Sequence, residues 1–373
     1  MRIVFYPSFR ALDHERSSGL VSIARDVRAA MEAEGHEVVV PVRQSMEWIY
    51  LRPAAWPATL REMWRADRDL RRARPDCWLT YHTYFRGPDI VGPALCARHR
   101  LPYFLLEASY ATKYRKRLKT WAGFHLNRMA LERADTVFLN KRRDVENLGR
   151  LLPAERIAYI RPGIRTANFP LDPELGRATR ARLGLEARRV AVTAAMMRPG
   201  VKEDGIAFVI DACASLLPEI PDLHLLVLGD GPGRERLEAR ARAVLPGAHT
   251  FAGRIAPQDM HRWYQAGDVF AFPGIGEAIG MVYLEAQCCG LPVVATSHDG
   301  APEVVADGST GAIVPPFSVP DFAAALGALL RDPGLRGRLG RQARERVLRE
   351  FDTAANYRTM LGIMAEVCAR RRP

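Results

Sequence analysis

The sequence predicts an α/β protein of two doubly wound, Rossmann-like domains facing across a cleft, and three observations carry that prediction. A chain of 373 residues is too long for one ordinary core, since domains average on the order of 150 residues. Short apolar runs that read as strands alternate with segments of helical spacing through both halves. No repeat of finer period interrupts the alternation. The domain limits expected are 1–165 and 166–340, with an amphipathic and basic segment over 341–373.

Arg2 to Tyr6 reads as the first strand, followed by a polar loop holding Arg16, Ser17, Ser18 and Gly19. Leu20, Ile23, Ala24, Val27, Ala30 and Met31 then recur at helical spacing, Gly35 closes the helix, and EVVVPV is the second strand. This is the opening βαβ of a doubly wound sheet, which binds ligands at its strands' carboxyl ends. Ser18 and Gly19 are therefore read either as phosphate neighbours or as an ordinary turn. Residues 59–75 form an exposed amphipathic helix leading to the strand DCWLTYH, which leaves His82 and Arg86 on the functional edge of the sheet. PYFLLEASYATKY repeats the pattern, with a strand ending at Glu107. A His or Glu at such a place serves either structure or function. ADTVFLNKRRDVENL supplies another strand and helix, and the Pro-Gly turn of RIAYIRPGI is the exit from the first domain.

In the second half, VAVTAAMMR is a strand with Arg198 at its carboxyl end, followed by a loop carrying Lys202. HLLVLGDGPGRERLEARARAV is a strand, a Gly-rich turn and a helix, and the turn with Gly231 is by itself a weak phosphate-loop signal. HTFAGRI and DVFAFPG are further strands, separated by the helix PQDMHRWYQAG. The stretch AFPGIGEAIGMVYLEAQCCGLPVV then reads as strand, Gly-rich loop, helix and strand. Its helix is apolar on every side and so should be buried. Glu285 sits in the middle of it and needs a partner, because an unpaired carboxylate in an interior costs several kcal/mol. Glu277 lies in the preceding loop. The helix start near Gly280 offers free N–H groups and the positive end of a dipole, which suit a phosphate.

Composition narrows the function. With 48% hydrophobic and 26% charged residues the chain is globular rather than disordered. No apolar run approaches the roughly 20 residues of a membrane span, and MRIVFYPSFR enters a strand pattern without a signal peptide, so a cytoplasmic protein is expected. The six cysteines show no CxxC pair and are read as buried free thiols. Charge is uneven: residues 1–165 hold 30 Lys and Arg against 18 Asp and Glu, whereas residues 166–373 hold 24 of each. A basic half beside a neutral one implies a polyanionic partner at a surface. The run KYRKRLK, with Trp121, Phe124, Leu126 and Met129 after it, suggests that residues 113–129 are a helix lying on an anionic membrane; a solvated basic helix with its apolar side in the core is the alternative.

GEAIGMVYLEAQCCGLPVVATSHDGAPEVVADGSTGAIVPP resembles the signature of the family 4 glycosyltransferases, the retaining nucleotide-sugar transferases of GT-B architecture. The likeness extends upstream through LLVLGDGPGRERLEARA and MMRPGVK, covers most of residues 190–316, and reaches SSGLVSIARDVRAAMEAEGHEV loosely. It implies that Glu285 binds the ribose hydroxyls, and that Glu277 binds the transferred sugar beside the Gly280, Met281 and Val282 amides. Arg198 and Lys202 would bind the diphosphate, and the backbone around Arg254 would read the base. The two cations explain why no metal or other cofactor is expected. The segment from about Arg341 would return to the first domain. Where the family often has a His, after the strand PYFLLEAS, this chain has Glu107; either His82 takes over the sugar contact or no His is needed.

The expected activity is retaining transfer of a hexosyl group from a nucleoside-diphosphate sugar to a saccharide or lipid-linked acceptor of envelope or extracellular glycan. The donor would bind the second domain and the acceptor the first. Two other readings are a polyanion-binding protein working through its basic half and a same-fold nucleotide-sugar epimerase or phosphorylase. Against nucleic acid as partner, no recognised binding motif or stacking platform accompanies the charge.

Overall fold

The computed structural model describes residues 1–9, 19–277 and 279–371. The chain divides into two compact units, Met1–Pro162 with Thr353–Pro373 and Gly163–Asp352. Each is organised around one six-stranded sheet in which every neighbouring pair runs parallel.

The first unit contains β1 (Arg2–Pro7), β2 (Glu37–Val39), β3 (Cys77–Tyr81), β4 (Tyr103–Leu106), β5 (Thr136–Leu139) and β6 (Ile157–Tyr159), in the order β2-β1-β3-β4-β5-β6. Alternate side chains point to opposite faces. Val4 and Tyr6 therefore join one buried cluster, with Trp78 and Leu105, while Ile3 and Phe5 join another, with Leu79 and Phe104. Two cores on one sheet explain why these strands read as nearly continuous apolar runs.

The second unit contains β7 (Arg189–Ala194), β8 (Leu223–Leu228), β9 (His249–Gly253), β10 (Val269–Ala271), β11 (Val293–Thr296) and β12 (Gly311–Val314), in the order β12-β11-β10-β7-β8-β9. Leu226 and Leu228 pack on one face, Leu225 and Val227 on the other. All six cysteines are buried and none is in a disulfide.

The topology fixes where a ligand can enter. In an open parallel sheet the crevice lies at the carboxyl ends of the two strands from which the connections run in opposite directions. Those strands are β1 and β3 in the first unit, and β7 and β10 in the second.

The return to the first unit begins at Thr353, not near 341. The helix Pro333–Glu350 covers those residues and belongs to the second core: Arg344 Nη1 donates to the carbonyls of Phe169, at 3.2 Å, and Cys288. The helix Thr353–Arg371 packs Met360, Leu361 and Met364 into the core beneath β1, and Arg358 pairs with Glu34 at 2.9 Å. The basic segment also differs from a single helix. Thr112–Lys116 is a 3-10 turn, Arg117 is extended, and an α-helix starts only at Leu118. Phe124 is buried, which leaves Leu118, 97% exposed, and Trp121, 54% exposed, as the apolar residues beside the charges.

Candidate functional site

The second unit brings its candidate residues together at the β7/β10 edge. The chain leaves β7 through Met197 and Arg198, turns at Gly200, and enters the helix Val201–Leu216 with Lys202 in its first turn. It leaves β10 through Phe272 and Pro273, crosses a Gly-rich loop containing Glu277, and enters the helix Met281–Cys288. Two helix starts thus follow two adjacent strands, each presenting unpaired N–H groups. Lys202 and Glu277 form an ion pair between the two loops, with side chains 30% and 16% exposed. The Lys202 ammonium also lies 5.8 Å from the centroid of the Phe272 ring. Burial, and then the Arg198 charge, push its pKa down to about 8. Arg198 itself is exposed.

The Glu277 loop is held in place by its backbone. Glu277 N donates to Gly274 O at 3.0 Å, and its carbonyl accepts from Gly300 N at 3.0 Å. Tyr283 then fixes the helix to the strand, its hydroxyl donating to Phe272 O at 3.0 Å. This packing demands Gly280, whose φ is 76° and where a Cβ would meet the Tyr283 ring at 2.5 Å. Met281 and Val282, the next two residues, are partly buried and contribute the helix's first amides.

Glu285 lies one turn further along, and its partner is Tyr264, whose hydroxyl donates to Oε2 at 2.7 Å. Burial pushes the Glu285 carboxyl up from its ordinary value, and the Tyr264 bond pulls it partly back. Sequence reasoning found the need for a partner but not Tyr264, which comes from the helix Met260–Gln265.

Gly231 stands against the β7 exit rather than at an open loop. Its φ is 156°, and a Cβ there would come 2.7 Å from Met197 O. Its lack of a side chain lets the backbone of the Arg198 loop approach, and Gly233 N bonds Met197 O at 2.8 Å. Arg254, exposed just past β9, lines a cavity of about 530 Å³ with Ile255, Arg182 and Trp263.

In the first unit, His82 follows β3 at the β1/β3 edge, and Glu107 follows β4. The register pairs Tyr81 with Leu106, so His82 and Glu107 leave the sheet side by side, with His82 Nδ1 3.9 Å from Glu107 Oε2. Arg86 is turned to Glu47, at 2.6 Å. Gly19 opens the helix Gly19–Ala33, while Arg16, Ser17 and Ser18 lie outside the described residues.

The family model of the glycosyl transferases group 1 matches residues 192–346, the part of the second unit that holds these groups. A GDP-mannose-dependent alpha-(1-6)-phosphatidylinositol monomannoside mannosyltransferase of Mycolicibacterium smegmatis is 34% identical over 59% of this chain and 58% of its own. The alpha-D-kanosaminyltransferase of Streptomyces kanamyceticus is 30% identical over 66% and 63%. The chain thus spans about 60% of the length of these relatives. Among solved structures, Anabaena HepE in complex with UDP superimposes with a TM-score of 0.75 over 98% of this chain and 100% of its own, at 18% identity, a likeness of fold.

Proposed function

We propose that this chain, whose residues 192–346 match the glycosyl transferases group 1, moves a hexosyl group from a nucleoside-diphosphate sugar to a saccharide or lipid-linked acceptor of envelope or extracellular glycan. The observation that carries this reading is the Lys202–Glu277 pair at the β7/β10 edge, flanked by Arg198 and by the helix start at Gly280.

Arg198 and Lys202 take the diphosphate, and the ammonium exchanges Glu277 for phosphate oxygens when donor binds. Departure of the nucleotide breaks the bond from the anomeric carbon to phosphate and builds negative charge, which fixed cations stabilise by roughly 3 kcal/mol per donor group. No divalent ion is required by this scheme. Glu277, freed from Lys202, accepts hydrogen bonds from the sugar hydroxyls, beside the Gly280, Met281 and Val282 amides. Glu285 takes the ribose hydroxyls, with Oε2 steadied by Tyr264. The backbone at Arg254 faces the base, and Gly231 shapes the Arg198 loop.

The acceptor is a ligand of the first unit, where His82 contacts the saccharide. Its hydroxyl attacks on the face the phosphate leaves, its proton passes to the departing phosphate oxygen, and the configuration is retained. The segment 113–129 faces an anionic membrane, with Leu118 and Trp121 entering the interface beside Lys113, Arg115, Lys116, Arg117 and Lys119. The place of work proposed is the inner face of the cell membrane, in the cytoplasm; no described helix is long and apolar enough to cross a membrane.

Purified protein incubated with a panel of nucleotide sugars and saccharide acceptors tests this. NMR of the product reads the anomeric configuration. Glu277→Ala should abolish most transfer at an unchanged melting temperature, and near-normal turnover in that variant would end the assignment.

A further inference from the structure

We infer that Glu107 is a positioning residue for His82. It holds the imidazole with its Nδ1–H toward the carboxylate, so that Nε2 is presented as an acceptor to a sugar hydroxyl; the sugar contact itself rests on the transferase reading above.

The backbone provides the first argument. His82 and Glu107 both have left-handed conformations, with φ of 62° and 56°, which residues bearing a Cβ rarely adopt. Both are fixed by the sheet, His82 N donating to Leu106 O at 2.8 Å and Glu107 N to Phe138 O at 2.9 Å. Two such residues at adjacent strand ends mark a place where conformational cost is tolerated, as at sites that must hold side chains in set directions.

The side chains provide the second. Glu107 is anchored from two directions: Asn140 Nδ2 donates to Oε1 at 2.7 Å and the Tyr81 hydroxyl donates to Oε2 at 3.3 Å. The same Oε2 faces His82 Nδ1, which is buried and makes no hydrogen bond among the described residues. The imidazole sits among Phe9, Tyr81 and Tyr84, with ring centroids 5.1–5.8 Å away. Since Nδ1 is the buried nitrogen and the side chain keeps 23% of its exposure, the open edge is that of Nε2.

At 3.9 Å the approach is longer than a hydrogen bond. Such contacts commonly tighten only when substrate is bound. A carboxylate facing one ring nitrogen selects the tautomer protonated there, which leaves the other nitrogen as acceptor. Asp144, at the start of the helix Arg142–Leu148, is an acid in electrostatic reach of both groups, with Lys141 and Arg143 opposing it.

The test is ¹⁵N NMR of the full-length protein labelled at histidine, at a pH above imidazole titration, with His82→Gln supplying the assignment. The inference expects His82 to carry its proton on Nδ1 and to lose that preference in Glu107→Gln. This readout needs no turnover, so it stands even if the transferase reading fails. A wild-type His82 protonated on Nε2 would overturn the inference. In transfer assays Glu107→Gln should cost roughly tenfold, the scale of one hydrogen bond to a charged group. It should cost nothing further in a His82→Gln background; independent, multiplying losses would equally overturn it.

Discussion

The two units use their sheet edges differently. At the β7/β10 edge of the second unit the candidate groups ride on two helix starts, so backbone amides, helix dipoles and the Lys202 and Arg198 cations all favour a negative ligand. At the β1/β3 edge of the first, His82 and Glu107 sit on strand ends and are braced by side chains: Asn140, Tyr81 and an aromatic surround. One edge is built for charge and the other for direction. The proposed transferase reading requires that contrast, because it puts an anionic donor in one unit and a polyhydroxy acceptor in the other.

The sharpest way to break the comparison is to remove charge from the second unit. Lys202→Ala should lower kcat/KM for the donor by at least about 10²-fold, on the scale of a lost transition-state donor. The His82 and Glu107 variants should fall well short of that. Equal losses at both edges would erase the distinction.

pH gives a finer cut. Lys202 must be protonated to hold phosphate, and its pKa is pushed down to about 8. In the free enzyme the cation is lost as pH rises through that value, so kcat/KM for the donor should fall about tenfold per unit above it. Lys202→Arg should remove the falling limb, because a guanidinium stays charged. A limb that survives in Lys202→Arg belongs to another group.

The first unit's exposed apolar pair makes a smaller prediction. Replacing both Leu118 and Trp121 by Ser should weaken binding to vesicles containing anionic phospholipid by roughly tenfold, as expected for two apolar side chains withdrawn from an interface. Transfer to a soluble acceptor should not change. Equal vesicle binding by the variant would show that these two side chains do not enter the interface. Smallest of all, Tyr264→Phe removes one bond to Glu285 and should raise the donor KM about fivefold with kcat nearly unchanged.

The same contrast explains what could be read from the sequence. Arg198, Lys202, Glu277 and Glu285 were legible as positions, because each lies within a few residues of a strand end or helix start, while the roles proposed for them come from the family resemblance. Tyr264 was not, since it reaches Glu285 from 21 positions upstream through packing alone. His82 and Glu107 were each placed at a strand end, but their adjacency depends on the parallel register of β3 and β4, a tertiary fact. The late return of the chain at Thr353 was hidden for a similar reason. Residues 341–352 are amphipathic, and only the core decides whose apolar face they cover. Phe124 teaches the same point, because an aromatic beside a basic run can face inward or outward with equal sequence support.

Titration of UDP, GDP and ADP into the purified protein, followed by calorimetry and thermal denaturation, tests the central claim most directly. Ligand binding to the native state raises apparent stability by mass action. One nucleoside diphosphate should bind and raise the melting temperature in wild-type protein and lose most of that effect in Lys202→Ala. If none of them binds, or if Lys202→Ala responds as strongly as wild type, the β7/β10 edge is not the donor site.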